Sequence, residues 1–157
     1  MEQLDTIIEN GLVVTEDVTQ KMNVGIKDQK IAYIGQNVLE AKTKVNAEKL
    51  FVLPGGVDPH VHVDQPSGPD VEMADNFQSA TKSAAAGGNT TIIPFAMQIK
   101  GQSLRKCVED YHKKANGNLY IDTSFHLIIS DPTPQVLGQE LPALSKDGYT
   151  SFKVFMT

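Results

Sequence analysis

The amino-acid sequence predicts an α/β protein in which a small β-module, residues 1–54, precedes a segment of alternating strands and helices, residues 55–157. Three observations support this class. Short β-branched runs with turn signals fill the first segment, helical spacing of small and apolar residues begins only after Pro54, and strands recur between the helices. Strands that alternate with helices favour a parallel sheet covered by helices.

In the first segment we predict two hairpins because turn-forming pairs separate short strand-like runs. The first has Asn10-Gly11 between Thr6–Glu9 and Leu12–Thr15. The second has Asp28-Gln29 between Met22–Lys27 and Lys30–Ile34.

The second segment contains four predicted strands and three helical stretches. The strands are Val57–Val63, Thr90–Ala96, Tyr120–Ile129 and Thr150–Met156. The helices begin at the caps Asp75 or Asn76, Ser103 and Thr133, and end at Gly87-Gly88, near Ala115 and at Asp147-Gly148, with Pro142 interrupting or restarting the third. A closed (β/α)₈ barrel takes roughly 250 residues. Only about 100 lie beyond Pro54, so this chain cannot form an intact barrel.

Composition narrows the function classes. Of the 157 residues 40% are hydrophobic and 21% are charged, and the net charge is −5, so we expect neither nucleic acid nor an anionic membrane as a partner. The acidic start, Met1–Asp5, lacks the basic region of a secretory signal and no long apolar run follows, which predicts a cytoplasmic protein. The single cysteine, Cys107, excludes an intrachain disulfide and is predicted to be a small buried hydrophobe.

The pair His60-Val61-His62 in the first strand after Pro54 is the main chemical feature. Side chains two apart on a strand point to the same side, so both imidazoles can converge on one divalent metal, for which zinc is favoured. By itself the pattern also fits a polar core or a surface position.

The sequence around this pair resembles that of a known family. The segment Leu53-Pro54-Gly55-Gly56-Val57-Asp58-Pro59-His60-Val61-His62 resembles the signature of the cyclic amidohydrolases of the dihydropyrimidinase and D-hydantoinase family, in the amidohydrolase superfamily. The resemblance continues through Ala74–Phe77, Ser83–Thr91, Pro94-Phe95 and Ser151–Thr157. It implies part of an N-terminal β-sandwich followed by the first half of a metal-dependent (β/α)₈ TIM barrel, and hence an N-terminal fragment.

The resemblance also implies a binuclear zinc site. In it His60 and His62 hold one ion, and Lys153, carrying CO₂ as an N6-carboxylysine, bridges both. The chemistry is consistent, because an ammonium repels cations whereas a carbamate offers two anionic oxygens to two ions. From the pattern alone, a lysine that extends from the strand end towards solvent is the favoured interpretation of Lys153, and the family resemblance reverses it.

In this family a hydroxide shared by the two zinc ions attacks a cyclic amide of a dihydropyrimidine or hydantoin, and the ring opens to an N-carbamoyl amino acid. The resemblance places two further histidines, an aspartate and a tyrosine beyond Thr157. The expected catalytic set is therefore incomplete, and we expect this chain alone to be inactive. Relatives are commonly tetramers, so the full-length protein is expected to be a homo-oligomer.

Asp64 bears on the substrate. Dihydroorotases usually carry an arginine two residues beyond the histidine pair, where it binds a substrate carboxylate. Asp64 would repel such an anion, which favours small neutral cyclic amides. Alternatively, Asp64 only forms hydrogen bonds with the loop at residues 65–69.

Other polar residues have weaker claims. His126 is predicted to be a hydrogen-bonded core histidine, and His112 to lie in solvent on the polar face of its helix. Asp58 either orients a ligand histidine or caps a turn.

Two rival hypotheses remain. Some relatives are non-catalytic scaffolds that have lost their metal ligands; the presence of His60, His62 and Lys153 argues against this class. The other rival is a complete small α/β binding domain, which predicts a cooperatively melting 17.1 kDa monomer.

Overall fold

A five-stranded mixed sheet forms the first part of the chain in the computed structural model, which describes residues 3–156. Its strands are β1 (Leu4–Val14), β2 (Thr19–Lys27), β3 (Lys30–Gly35), β4 (Ala41–Asn46) and β5 (Phe51–Val52). The order is β3-β2-β1-β4, with β5 also pairing with β1. Neighbours β1, β2 and β3 are antiparallel, whereas β4 and β5 run parallel to β1.

The two predicted hairpins had different outcomes. The Asp28-Gln29 hairpin is confirmed: both residues have positive φ and join β2 to β3. The Asn10-Gly11 hairpin is wrong, because β1 continues through this pair. Asn10, at φ 67°, lies at a register irregularity in β1, where its backbone N–H donates to Asn23 Oδ1 at 3.1 Å. A left-handed residue can form a bulge as readily as a turn.

The chain divides into two compact units at Pro54–Gly55. The second unit contains β6 (Gly56–Val61), α1 (Phe77–Ala86), β7 (Asn89–Met97), α2 (Leu104–Ala115), β8 (Asp122–Thr123), β9 (His126–Ile128), a π-helical segment (Val136–Glu140), α3 (Leu141–Lys146) and β10 (Phe152–Lys153). All of its paired strands are parallel, in the order β10-β9-β7-β6 with β8 also on β7. Strands adjacent in sequence are thus adjacent in space, as in the first half of a (β/α)₈ barrel.

The helix boundaries follow their capping residues. Asn76 accepts a hydrogen bond from the Ser79 backbone N–H at 3.0 Å and caps α1, and Ser103 caps α2 in the same way. Thr133 Oγ1 accepts from the Val136 N–H at 3.2 Å at the start of the third stretch. Pro142, in the first turn of α3, marks the restart that its missing N–H predicts.

Two predicted strands are shorter in the structure. The third is divided into β8 and β9, which keep a single register along β7 (Ile92 opposite Thr123, Phe95 opposite His126). The fourth is reduced to Phe152–Lys153. The apolar, β-branched runs in the sequence are therefore longer than the segments of backbone that pair in the sheet.

The main core lies between the parallel sheet and its helices. It is formed by side chains of the strands and helices that are almost fully buried, among them Ile92, Ala96, Leu104, Phe125, Leu127 and Leu144. Side chains alternate along β7. Phe95 therefore points to the opposite side of the sheet from Ile92 and Ala96. Its side chain is nonetheless buried, with 5% of its surface exposed.

Glycines at the start of β6 allow it to lie against β7. A Cβ on Gly55 would collide with Thr90, and one on Gly56 would collide with Asn89. The Gly-Gly pair thus permits the close approach that brings the histidine strand beside Phe95. Among residues 3–156, no helix has the length and apolar character needed to cross a membrane.

Candidate metal centre

Four polar side chains surround the ring of Phe95. The ring centroids of His60, His62 and His126 lie 4.8, 5.1 and 5.1 Å from that of Phe95, and Lys153 Nζ lies 4.2 Å from it. The two imidazoles of the His-x-His pair are 5.6 Å apart. The structure therefore brings His60, His62 and Lys153 together on one side of the sheet.

The parallel sheet accounts for this convergence. His60 lies at the carboxyl end of β6, and Lys153 is the last residue of β10. Between them, Phe95 of β7 pairs with His126 of β9, and Ile128 pairs with Lys153. The carboxyl ends of parallel strands meet at one edge, which is where barrel enzymes place their active sites.

The His62 ring is held by its own loop. Its Nδ1 is 2.6 Å from Gln65 Oε1, and Gln65 Nε2 donates to the backbone carbonyl of Phe95 at 3.1 Å. The amide thereby connects the loop after β6 to β7. Within residues 3–156, no hydrogen bond to the His60 ring is found, and that ring packs edge-on against Phe95.

His126 forms hydrogen bonds through both ring nitrogens. Its Nε2 is 2.7 Å from the Pro59 carbonyl, and its Nδ1 is 2.5 Å from Ser151 Oγ. A carbonyl only accepts, so Nε2 carries the hydrogen and Nδ1 accepts from the hydroxyl. The predicted hydrogen bonding of His126 is confirmed. The predicted core position is wrong, because the side chain is half-buried and packs against Phe95. This imidazole connects the residue before His60 to the segment that leads into β10.

The two aspartates near the pair contact the backbone or a helix. Asp58 Oδ1 accepts from the His60 backbone N–H at 3.0 Å, so it fixes the main chain and not the ring. Asp64 Oδ1 accepts from Lys114 Nζ at 2.9 Å, and the same ammonium donates to the Asp64 carbonyl at 2.6 Å. Asp64 therefore pairs with α2 and not with its own loop. Its influence on substrate charge stays a prediction.

The donor set fits a metal site that includes a modified lysine. His60 and His62 are exposed and Lys153 is half-buried, so the imidazoles are accessible to an ion. Across residues 3–156, no three His, Cys, Asp or Glu side chains group closely enough to hold a metal. Lys153 Nζ lies over the face of Phe95, 4.2 Å from the ring centroid. Conversion of this amine to a carbamate would give the position two anionic oxygens able to bind metal ions.

Sequence analysis missed two of these contributions and misjudged a third residue. The sequence alone gives Phe95 no role beyond the Pro94-Phe95 motif and gives Gln65 none beyond the loop at residues 65–69. The position of Gln65, three residues after His62, is the one signal for its contact with that ring. The prediction for His112 is wrong. Its Nε2 is 2.6 Å from Tyr149 Oη and its ring packs edge-on against Phe125, because the end of α2 is covered by the chain after α3.

Comparisons with known proteins point to one group of enzymes. A D-hydantoinase of Geobacillus stearothermophilus is 47% identical over 152 residues, covering 96% of this chain and 32% of that protein. A dihydropyrimidinase of Dictyostelium discoideum is 36% identical, covering 99% of this chain and 31% of that protein. No family model matches the chain.

Solved structures agree. One D-hydantoinase structure superposes with a TM-score of 0.93 at 43% identity, and another with 0.89 at 47% identity. They cover 98% and 97% of this chain and 33% of each neighbour. The chain thus spans about a third of the length of the relatives it matches.

Proposed function

Because the chain belongs to the dihydropyrimidinase and D-hydantoinase family, we propose that the full-length protein is a hydrolase that opens cyclic amides. Its substrates are small neutral dihydropyrimidines or hydantoins, and its products are N-carbamoyl amino acids. We further propose that it uses two zinc ions and assembles as a homo-oligomer.

One observation carries this proposal: the Lys153 amine and the His60 and His62 imidazoles lie around the same Phe95 ring. A scaffold has no need for three such donors at the carboxyl edge of a parallel sheet. An enzyme with a bridging carbamate needs all three.

The residues present would divide the binding as follows. His60 and His62 would hold one zinc ion, and the carbamate on Lys153 would bridge it to a second. Two four-coordinate ions require more ligands than these, so the proposal needs further donors from the full-length protein.

When bound, the zinc pair would polarise the substrate carbonyl and lower the pKa of water so that it can attack near neutral pH. In the net reaction, water adds across the amide C–N bond of the ring. The water oxygen bonds to the carbonyl carbon, the C–N bond breaks, and the nitrogen takes up a proton. The protein positions the donors for this step. His126 connects the two strand ends, Gln65 holds the His62 ring, and Phe95 covers the space beneath the lysine.

The proposal is tested with Lys153→Arg in the full-length protein. Arginine stays protonated and cannot form a carbamate, so we expect loss of bound zinc and at least a thousandfold loss of dihydrouracil hydrolysis, on the order expected for a transition-state interaction of several kcal/mol. Lys146→Arg, an exposed lysine at the end of α3, is the matched control and should be unaffected. Full zinc content and activity in Lys153→Arg would contradict the proposal. Absence of zinc and activity in the unmodified protein would instead support a non-catalytic scaffold.

A further inference from the structure

Gln65 makes two hydrogen bonds that together fix how its amide is oriented. Its donor to the Phe95 backbone carbonyl, at 3.1 Å, must be the amide NH₂, because a carbonyl accepts only. The amide oxygen therefore faces His62 Nδ1 at 2.6 Å. The flipped amide would place its oxygen against the Phe95 carbonyl oxygen, and two acceptors repel each other, so the flip is disfavoured.

This orientation determines the tautomer of His62. An amide oxygen has no hydrogen to give, so His62 Nδ1 must carry one. A neutral imidazole carries a single N–H, and Nε2 is therefore left with its lone pair. Histidine in water prefers the opposite tautomer, with the hydrogen on Nε2. In that tautomer Nε2 has no free lone pair and cannot bind a metal ion.

We propose that Gln65 is a positioning residue that holds His62 in the Nδ1–H tautomer and so presents Nε2 to a zinc ion. This inference rests on the proposed metal site. It adds a residue that touches neither substrate nor zinc and acts only through His62. A ligand histidine generally needs such a partner on its other nitrogen, and loss of the partner typically weakens metal binding about 10- to 100-fold.

The two histidines of the pair differ in this respect. Asp58 contacts the His60 backbone but not its ring. Within residues 3–156, Gln65 is the side chain that hydrogen-bonds a ring of the His-x-His pair. The effect of changing Gln65 should therefore be confined to His62.

The test uses Gln65→Met, which keeps the length of the side chain and removes both hydrogen bonds. Long-range ¹H–¹⁵N NMR of the metal-free full-length protein, at a pH where the imidazoles are neutral, reports which nitrogen of His62 carries hydrogen. We expect Nδ1–H in the unmodified protein and a large Nε2–H population in the variant. Zinc affinity, measured by competition with a chelator, should fall about 10- to 100-fold.

Two further variants keep the test decisive. Gln65→Glu retains an acceptor for His62 Nδ1 and should keep the Nδ1–H tautomer, which tests the idea even if Gln65→Met does not fold. Gln78→Met, on the exposed face of α1, should change neither readout. Unchanged His126 resonances would show that the strand ends remain in place.

The outcomes separate two failures. An Nε2–H tautomer in the unmodified protein, or one that does not respond to Gln65→Met, would overturn the positioning role. A tautomer that depends on Gln65 in a protein that binds no zinc would uphold the positioning of His62 and overturn the proposed function.

Discussion

The His126–Ser151 contact links β9 to the segment that leads into β10 at the candidate site, and its contribution to the free energy of unfolding can be measured. We consider His126→Leu, which removes the hydrogen bonds to Pro59 and Ser151 at 2.7 and 2.5 Å. Each such bond contributes about 1 kcal/mol net, and the half-buried site lets water reach the groups left behind. We therefore expect the free energy of unfolding to fall by about 2 kcal/mol.

A double-mutant cycle isolates the hydrogen bond between the two side chains. Ser151→Ala alone should cost about 1 kcal/mol, and the double variant should be about 1 kcal/mol more stable than the sum of the single effects predicts. The assay is urea unfolding followed by fluorescence and circular dichroism. Ser124→Ala, at an exposed position between β8 and β9, is the control and should change stability by less than about 0.5 kcal/mol. Strictly additive effects of His126→Leu and Ser151→Ala would refute the reasoning.

Further predictions concern the second unit. Asn76→Ala removes the α1 cap and should lower the free energy of unfolding by about 1 kcal/mol in urea titrations, with an unchanged value counting against the capping role. Burial raises the pKa of the Cys107 thiol to about 12; native protein at pH 8 should resist iodoacetamide, whereas rapid labelling would mean that the thiol is accessible. Because that raised pKa favours the protonated folded state, this contribution to stability should decrease as the pH rises from about 9 towards about 12. Asp64→Asn weakens the contact with Lys114 and should lower the free energy of unfolding, measured by urea titration, by less than about 1 kcal/mol. A larger decrease would show that the pair is more strongly coupled than its half-exposed position suggests.

The course of the second unit was largely predictable from sequence because its signals are local. Asn76 and Ser103 are side-chain caps whose effect depends on the next three residues. Gly55 and Gly56 marked the entry to β6. The α/β class follows from such local signals, repeated in order along the chain.

The failures arise where tertiary contacts decide. Asn10-Gly11 is compatible with a turn or a bulge, and its hydrogen bonds to Asn23 and Asn46 select the bulge. His112 has polar sequence neighbours, yet its position is decided by Tyr149, which lies 37 residues away in sequence. Neither partner can be identified from periodicity alone.

The candidate site shows the same division. The spacing of His60 and His62 predicts that they share a face, which needs only strand geometry. Their proximity to Lys153 depends on a register across three strand pairs, and sequence suggested it only through family resemblance. Nothing in the sequence indicated that Phe95 would lie between all of these side chains.

The central claim is that Lys153, converted to a carbamate, joins His60 and His62 in holding zinc. The most direct measurement supplies the metal-free, full-length protein with zinc and ¹³C-labelled bicarbonate, then counts bound zinc and detects the carbamate carbon by ¹³C NMR. We expect two zinc ions and one carbamate signal per subunit, with the signal absent from Lys153→Arg. Two bound zinc ions without a carbamate signal, or a carbamate signal that persists in Lys153→Arg, would contradict the claim.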